Sequence, residues 1–244
     1  DIDKIGGLRY ALAMPRTARV APGGMVFHVL NRGVARMRVF EKAGDYEAFE
    51  RVLGETLAEA PMRIRTYCLM PNHWHMLLWP ERDGDMARFM QRLTITHVRR
   101  WQEHRHCVGL GHVYQGRYKS FPVEEDEHFL AVARYVERNP LRANLVVRAE
   151  EWRWSSLWRR GRGSVEQNSV LAAWPVEMPA DWIQRVNHAD NEKELEALRR
   201  SVQRGRPYGT PHWQRRIAKR LGLESAYRWP GRPRIARGPD PVSE

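Results

Sequence analysis

Residues 67–79, Tyr-Cys-Leu-Met-Pro-Asn-His-Trp-His-Met-Leu-Leu-Trp, restrict the fold more than any other stretch of this chain. Apolar and aromatic residues crowd both sides of one Pro-Asn break. That pattern predicts strands over about 62–69 and 73–79, joined as a hairpin across Met70-Pro71-Asn72. Side chains two apart on a strand share a face. His73 and His75 therefore project together, and Trp74 points the other way. Two neutral imidazoles converging on one point make half of a divalent-metal site. Two unrelated histidines at a strand start would show the same spacing, so a second element has to support the pair.

Residues 124–140 supply it. Glu124, Glu125, Asp126 and Glu127 cluster where the positive end of a helix dipole favours acids. Phe129, Val132, Ala133 and Val136 recur at helical spacing as a buried stripe, and Pro140 predicts a helix end near Asn139. Tyr135 and Asn139 are four apart and share a face with His128. A tyrosine hydroxyl is a potential nucleophile, and the asparagine carbonyl beside it is a hard oxygen ligand.

The remaining pattern predicts a strand at about 25–31, an Arg32-Gly33 turn, and a helix over 45–60 with Phe49, Val52, Leu53 and Leu57 inward. A second helix over 85–103 carries Phe89, Met90, Leu93 and Val98, and an extended segment follows at 116–123. The order βαββαβα predicts an α+β, ferredoxin-like βαββαβ sandwich with an added C-terminal catalytic helix. Residues 161–192 read as a linker at Gly161-Arg-Gly163 plus packing residues Trp174 and Trp182. Beyond them a small basic helical module is expected over 193–244, ending in a disordered tail. Its first helix spans 192–204. Its second starts after the N-cap Thr210 with Pro211, buries Trp213, Ile217 and Leu221, and leaves Arg215, Arg216, Lys219 and Arg220 off that face. The two could form a helix–turn–helix. Gly-Arg-Pro strips around Arg206 and Arg232 could enter a narrow minor groove, or simply be turns.

Net charge is +12. Residues 199–237 hold twelve Arg or Lys against one acid, leaving 29 basic and 28 acidic residues elsewhere. The excess is thus C-terminal, and a polyanion is the natural partner. Two cysteines, Cys68 and Cys107, are too few for a disulfide framework and fit a reducing, cytoplasmic setting. No apolar run approaches the roughly 20 residues of a membrane helix.

Several motifs in fixed order resemble the HUH single-tyrosine transposases, and within them the REP-associated tyrosine transposases. They are Phe27-His-Val-Leu-Asn-Arg-Gly33, the 67–78 run, Tyr114-Gln-Gly-Arg-Tyr-Lys-Ser120, Tyr135-Val-Glu-Arg-Asn-Pro-Leu-Arg-Ala143 and Trp152-Arg-Trp-Ser-Ser156. The likeness is strong over residues 14–160 and looser over 193–236. Residues 1–13 precede it and read as an upstream extension. Trp74 is bulky for the middle position of the histidine pair but stays hydrophobic.

The resemblance implies that His73, His75 and Asn139 hold one divalent cation, Mg2+ or Mn2+, while Tyr135 attacks a DNA phosphate to leave a 5′-phosphotyrosine bond and a free 3′-hydroxyl. It implies single-stranded DNA whose REP-like palindromes fold into hairpins, and a nucleoid-associated location. A monomer is expected; a dimer exchanging the tyrosine helix, as in related enzymes, is the alternative. Arg32, Arg117 and Lys119 are expected to bind DNA, with Tyr114 and Tyr118 available to stack on bases. Tyr118 is also the second choice of nucleophile, and His128 or water the choices of base. Two other readings compete. One is a non-catalytic ferredoxin-like nucleic-acid-binding protein. The other is a zinc protein organised by His73 and His75, with His104, His106 and Cys107 as a rival cluster.

Overall fold

The computed structural model describes residues 20–228. The expected upstream extension, Arg232 and its Gly-Arg-Pro strip lie outside these residues. Strand β1 (Val26–Arg32) leads through a short loop to helix α1 (Ala43–Glu59), and β2 (Arg63–Met70) and β3 (His73–Trp79) form the hairpin. Helix α2 (Asp85–His104) then crosses to β4 (Lys119–Val123). The four strands form one antiparallel sheet in the order β2-β3-β1-β4. With the βαββαβ chain order, that is the ferredoxin-like arrangement. The turn is tighter than expected, with Met70 and His73 paired across Pro71-Asn72.

Strand alternation divides the sheet into two working faces. Phe27, Val29, Tyr67, Leu69, Trp74, Met76 and Leu78 pack with Phe49, Val52, Phe89 and Leu93 from α1 and α2. Val26, Leu77, Phe121 and Val123 point to the opposite face, under the helix α3 (Glu127–Glu137) and its stripe Phe129, Val132 and Ala133. Asp126 caps α3 by accepting from the His128 amide. The helix stops at Glu137, two residues before the expected end. Asn139 opens a separate turn, α4 (Asn139–Arg142), with Pro140 in its first turn, where a missing N–H costs nothing.

The stretch expected to hold a linker is packed. Gly161 lies inside α5 (Ser156–Arg162), and α6 (Val165–Asn168) leads to Leu171, which bridges to Ile64. Trp174 stacks edge-on against Phe129 and Trp182. Helix α7 (Trp182–Asn187) lies against α3. The basic helices α8 (Glu192–Arg204) and α9 (Pro211–Leu221) match their expected spans, the latter capped by Thr210 and closed by Gly222 at φ 64°.

A helix–turn–helix unit does not form. Leu198 of α8 joins the α3-side core, whereas Trp213, Ile217 and Leu221 of α9 join the α1/α2 side. Tyr208 between them pairs with the β4 edge, its amide donating to Pro122 and its carbonyl accepting from Glu124. The basic segment therefore wraps one edge of the sheet, because each helix finds its apolar cover on a different face. Among the described residues, no helix is long and apolar enough to cross a membrane.

Candidate active site

On the α3 face, three imidazoles and one phenol meet. The His73 and His75 ring centroids are 4.9 Å apart, and His75 lies 5.8 Å from the Tyr135 ring. His28 of β1 completes the group, 5.0 Å from His75 and 6.2 Å from Tyr135. Trp74 is buried on the other face, donating to the Tyr114 hydroxyl, which also bonds to His97.

Neighbours fix which imidazole atoms are free. The Asn72 amide nitrogen donates to the Arg36 carbonyl, so its oxygen faces His73 and accepts from Nδ1 at 2.6 Å. That leaves the His73 Nε2 lone pair bare. Asn72 is itself held by its loop: Gly33 donates to the Asn72 carbonyl, and a Cβ on Gly33 would fall 2.4 Å from the Met37 carbonyl oxygen. His75 Nδ1 lies 2.9 Å from His28 Nε2. Ligation through His75 Nε2 requires Nδ1 to carry the proton and donate to His28. The His28 proton then sits on Nδ1, a buried atom without a partner among the described residues. Burial pushes His28 and His73 down to about 3 and His75 well below its ordinary value, so all three rings are neutral. Neutral imidazoles with Nδ1 engaged and Nε2 available fit a divalent cation.

Asn139 points its amide nitrogen at the Tyr135 and Val136 carbonyls, 3.0 and 3.3 Å away. Its oxygen accepts from Arg142 at 3.3 Å. It could serve as a hard ligand with its second lone pair; among the described residues it makes no hydrogen bond to either imidazole. Burial raises the Tyr135 phenol above its usual value, while Arg142, Arg199 and Arg32 pull it back. Arg142 lies over the ring, 4.5 Å from its centroid.

Other expected residues fall elsewhere. Tyr114 is a core residue and cannot stack on bases, because its hydroxyl is committed to Trp74 and His97. Tyr118 packs toward the α1/α2 core, the face opposite His73 and His75, which removes it as a nucleophile for that pair. Arg117 and Lys119 are exposed near β4, and Arg32 ends β1 beside His73. Arg215, Arg216, Lys219 and Arg220 are all exposed on α9. Arg206 is drawn inward, donating to the Ala226 carbonyl and stacking on Tyr227. His128 bonds to Asp126 near the start of α3 and abuts Tyr208. With Glu124 and Asp126 it forms a group whose ligand atoms lie within 4.8 Å of one another. Thr210 and the α3 N-terminus already use those carboxylates. Among the described residues, His104, His106 and Cys107 form no such group. Cys68 faces His75 across the hairpin, but burial holds its thiol well above the usual range, which disfavours a thiolate ligand.

His28 and Arg142 are the functional candidates that spacing did not single out. Each had a signal, since both lie inside the quoted motifs.

Residues 23–139 match the family model described as "Transposase IS200 like". Through this region, just under half of its length, the chain is similar to the IS200-like transposases. A search of curated proteins finds no match. Two of the similar solved structures are these. One, a REP-associated tyrosine transposase bound to a REP hairpin, shares 16% identity over 67% of this chain and 94% of its own, with a TM-score of 0.46. The other, a candidate transposase from Deinococcus radiodurans R1, shares 16% identity over 50% of this chain and 92% of its own, with a TM-score of 0.35. Similarity at this level carries no information on substrate.

Proposed function

We propose that this protein is an IS200-like transposase, a metal-dependent single-stranded DNA endonuclease and strand transferase acting on palindromic hairpin DNA of the REP kind. The observation that carries the reading is the convergence of His73, His75 and Tyr135 on one sheet face, the first two with free Nε2 atoms. Tyr135 is the nucleophile: its Oη bonds to phosphorus, the P–O3′ bond breaks, and the 3′-oxygen takes a proton as the phenol gives one up. The product is a 5′-phosphotyrosine that a 3′-hydroxyl can later attack in reverse, so bond energy is stored and no nucleotide cofactor is needed.

His73, His75 and Asn139 would hold the cation, Mg2+ or Mn2+, which supplies charge stabilisation to the phosphate when bound. His28 orients His75, Asn72 orients His73, and Arg32 sets positive charge at the same end of the central strands. Arg117, Lys119 and the α9 cations Arg215, Arg216, Lys219 and Arg220 form the DNA-binding surface.

The test is incubation of the full chain with labelled hairpin DNA bearing a single-stranded flank, in manganese. Denaturing electrophoresis should show a covalent adduct that Tyr135→Phe abolishes and Tyr118→Phe retains. Binding without any adduct would favour the non-catalytic reading. Tightly held stoichiometric zinc after purification would favour the zinc protein.

A further inference from the structure

Arginines recur at four-residue intervals through α3 and the turn that follows it: Arg134 within α3, Arg138 at its C-terminal cap and Arg142 at the end of α4. All three turn toward the segment after α7. Arg134 donates to the carbonyls of Arg185, His188 and Ala189, and Arg138 to those of Val186 and Asn187. Those carbonyls sit at the negative end of α7, where guanidinium groups are favoured. Asp190 gathers the same three side chains. Its Oδ2 accepts from Arg138 Nε at 3.2 Å and Arg142 Nε at 3.1 Å, and its Oδ1 lies 3.7 Å from Arg134.

Arg142 differs from the other two in what its remaining atoms touch. Its guanidinium covers the Tyr135 ring, and its nitrogens donate to Asn139 Oδ1 at 3.3 Å and to the Tyr135 carbonyl at 3.5 Å. One planar cation thus contacts both the nucleophile and the amide oxygen assigned to the cation site. Arg142 and Asp190 both lie outside residues 23–139, the family-matched region.

We propose that Arg142, held by Asp190, is a positioning residue for strand cleavage: it fixes the Tyr135 ring and the Asn139 amide in one arrangement and places a positive charge beside the reacting phenol. The proposal rests on the strand-transferase reading. A stacked guanidinium limits ring rotation, and its charge favours the approach of a phosphate. Asp190 prevents the arginine from swinging out to pair with DNA as an ordinary surface cation would.

Single-turnover adduct formation on saturating hairpin DNA tests this in wild type, Arg142→Gln, Arg142→Lys, Asp190→Asn and Arg138→Gln. In Arg142→Gln the rate at saturation should fall at least about tenfold, as expected for a lost charge-assisted contact, with hairpin Kd changed less than about twofold. Arg142→Lys keeps the charge without the planar fork and should recover part of that loss. Thermal melts establish folding. Should Arg142→Gln not fold, Asp190→Asn carries the test, with the same rate-only loss expected. A rate in Arg142→Gln equal to wild type overturns the proposal while leaving Tyr135 chemistry intact. So does an equal rate loss in Arg138→Gln, which would make the arginines a general brace. No adduct in wild type overturns both the proposal and the reading beneath it.

Discussion

At the residue scale, His28 Nε2 lies 2.9 Å from His75 Nδ1 inside a buried ring cluster, and in the proposed site this contact sets which nitrogen of His75 faces the cation. A neighbour of this kind fixes tautomer and ring direction, and its loss typically lowers metal affinity about 10- to 100-fold. Calorimetric titration of His28→Phe with manganese should show a loss in that range while a thermal melt shows a folded protein, since Phe keeps an aromatic ring beside Phe121. Unchanged affinity would mean that His75 is oriented without it. His97 gives a pH prediction on the other face. Burial between Phe40, Phe49 and Tyr114 lowers it from 6.5 to about 4. The unfolded chain binds the proton first as pH falls, so stability is complete above about 6.5 and declines toward pH 4, by on the order of 3 kcal/mol. Denaturant midpoints should therefore fall across that window, and His97→Phe should remove the His97 share of the dependence while the buried His28, His73 and His75 keep theirs. An equally steep dependence in the variant would contradict this assignment.

At the scale of elements, the tyrosine helix is fastened to the sheet by Glu137, which is fully buried. Its carboxylate accepts from Thr66 of β2, Ser156 and Arg160 of α5, and Trp182 of α7. Glu137→Gln leaves Arg160 without its counter-charge in this network. Breaking a buried pair costs about 3–5 kcal/mol, so chemical denaturation should show a loss of that order. A change below about 1 kcal/mol would mean that the apolar stripe of α3 suffices to hold Tyr135. Much of this architecture was legible in the sequence. Strand alternation around His73-Trp74-His75 and the 3.6-residue stripe from Phe129 to Val136 are local signals, and both elements formed where they were expected. The tethers were not legible. Glu137 reads as an ordinary exposed helix acid, and its partners lie 19 to 71 residues away in sequence. Asp190 likewise sits in a mixed stretch, 161–192, where only Trp174 and Trp182 stand out as packing residues and nothing local marks the carboxylate as a tether. Tyr114 was misjudged because its hydroxyl is satisfied only by Trp74 and His97, contacts that depend on the packing of α2.

At the scale of the whole molecule, the basic segment is part of the folded body as well as its proposed DNA surface. Leu198, Trp213, Ile217 and Leu221 are buried in the two cores, so deleting the segment would damage both. Point changes separate charge from folding. Replacing Arg215, Arg216, Lys219 and Arg220 together by Gln should leave thermal stability within a few degrees of wild type. It should weaken hairpin binding and reduce the slope of log K against log salt by up to about 3. An unchanged slope would place the DNA elsewhere. What unites the three scales is the α3 face of the sheet, where His73, His75 and Tyr135 meet and where the divalent cation is proposed to sit. Anomalous diffraction from manganese in crystals of the protein with hairpin DNA locates that ion directly. The account predicts one strong peak within coordination distance of His73 Nε2, His75 Nε2 and Asn139 Oδ1, next to a phosphate facing Tyr135. A peak at Glu124, Asp126 and His128, with none between His73 and His75, would contradict it.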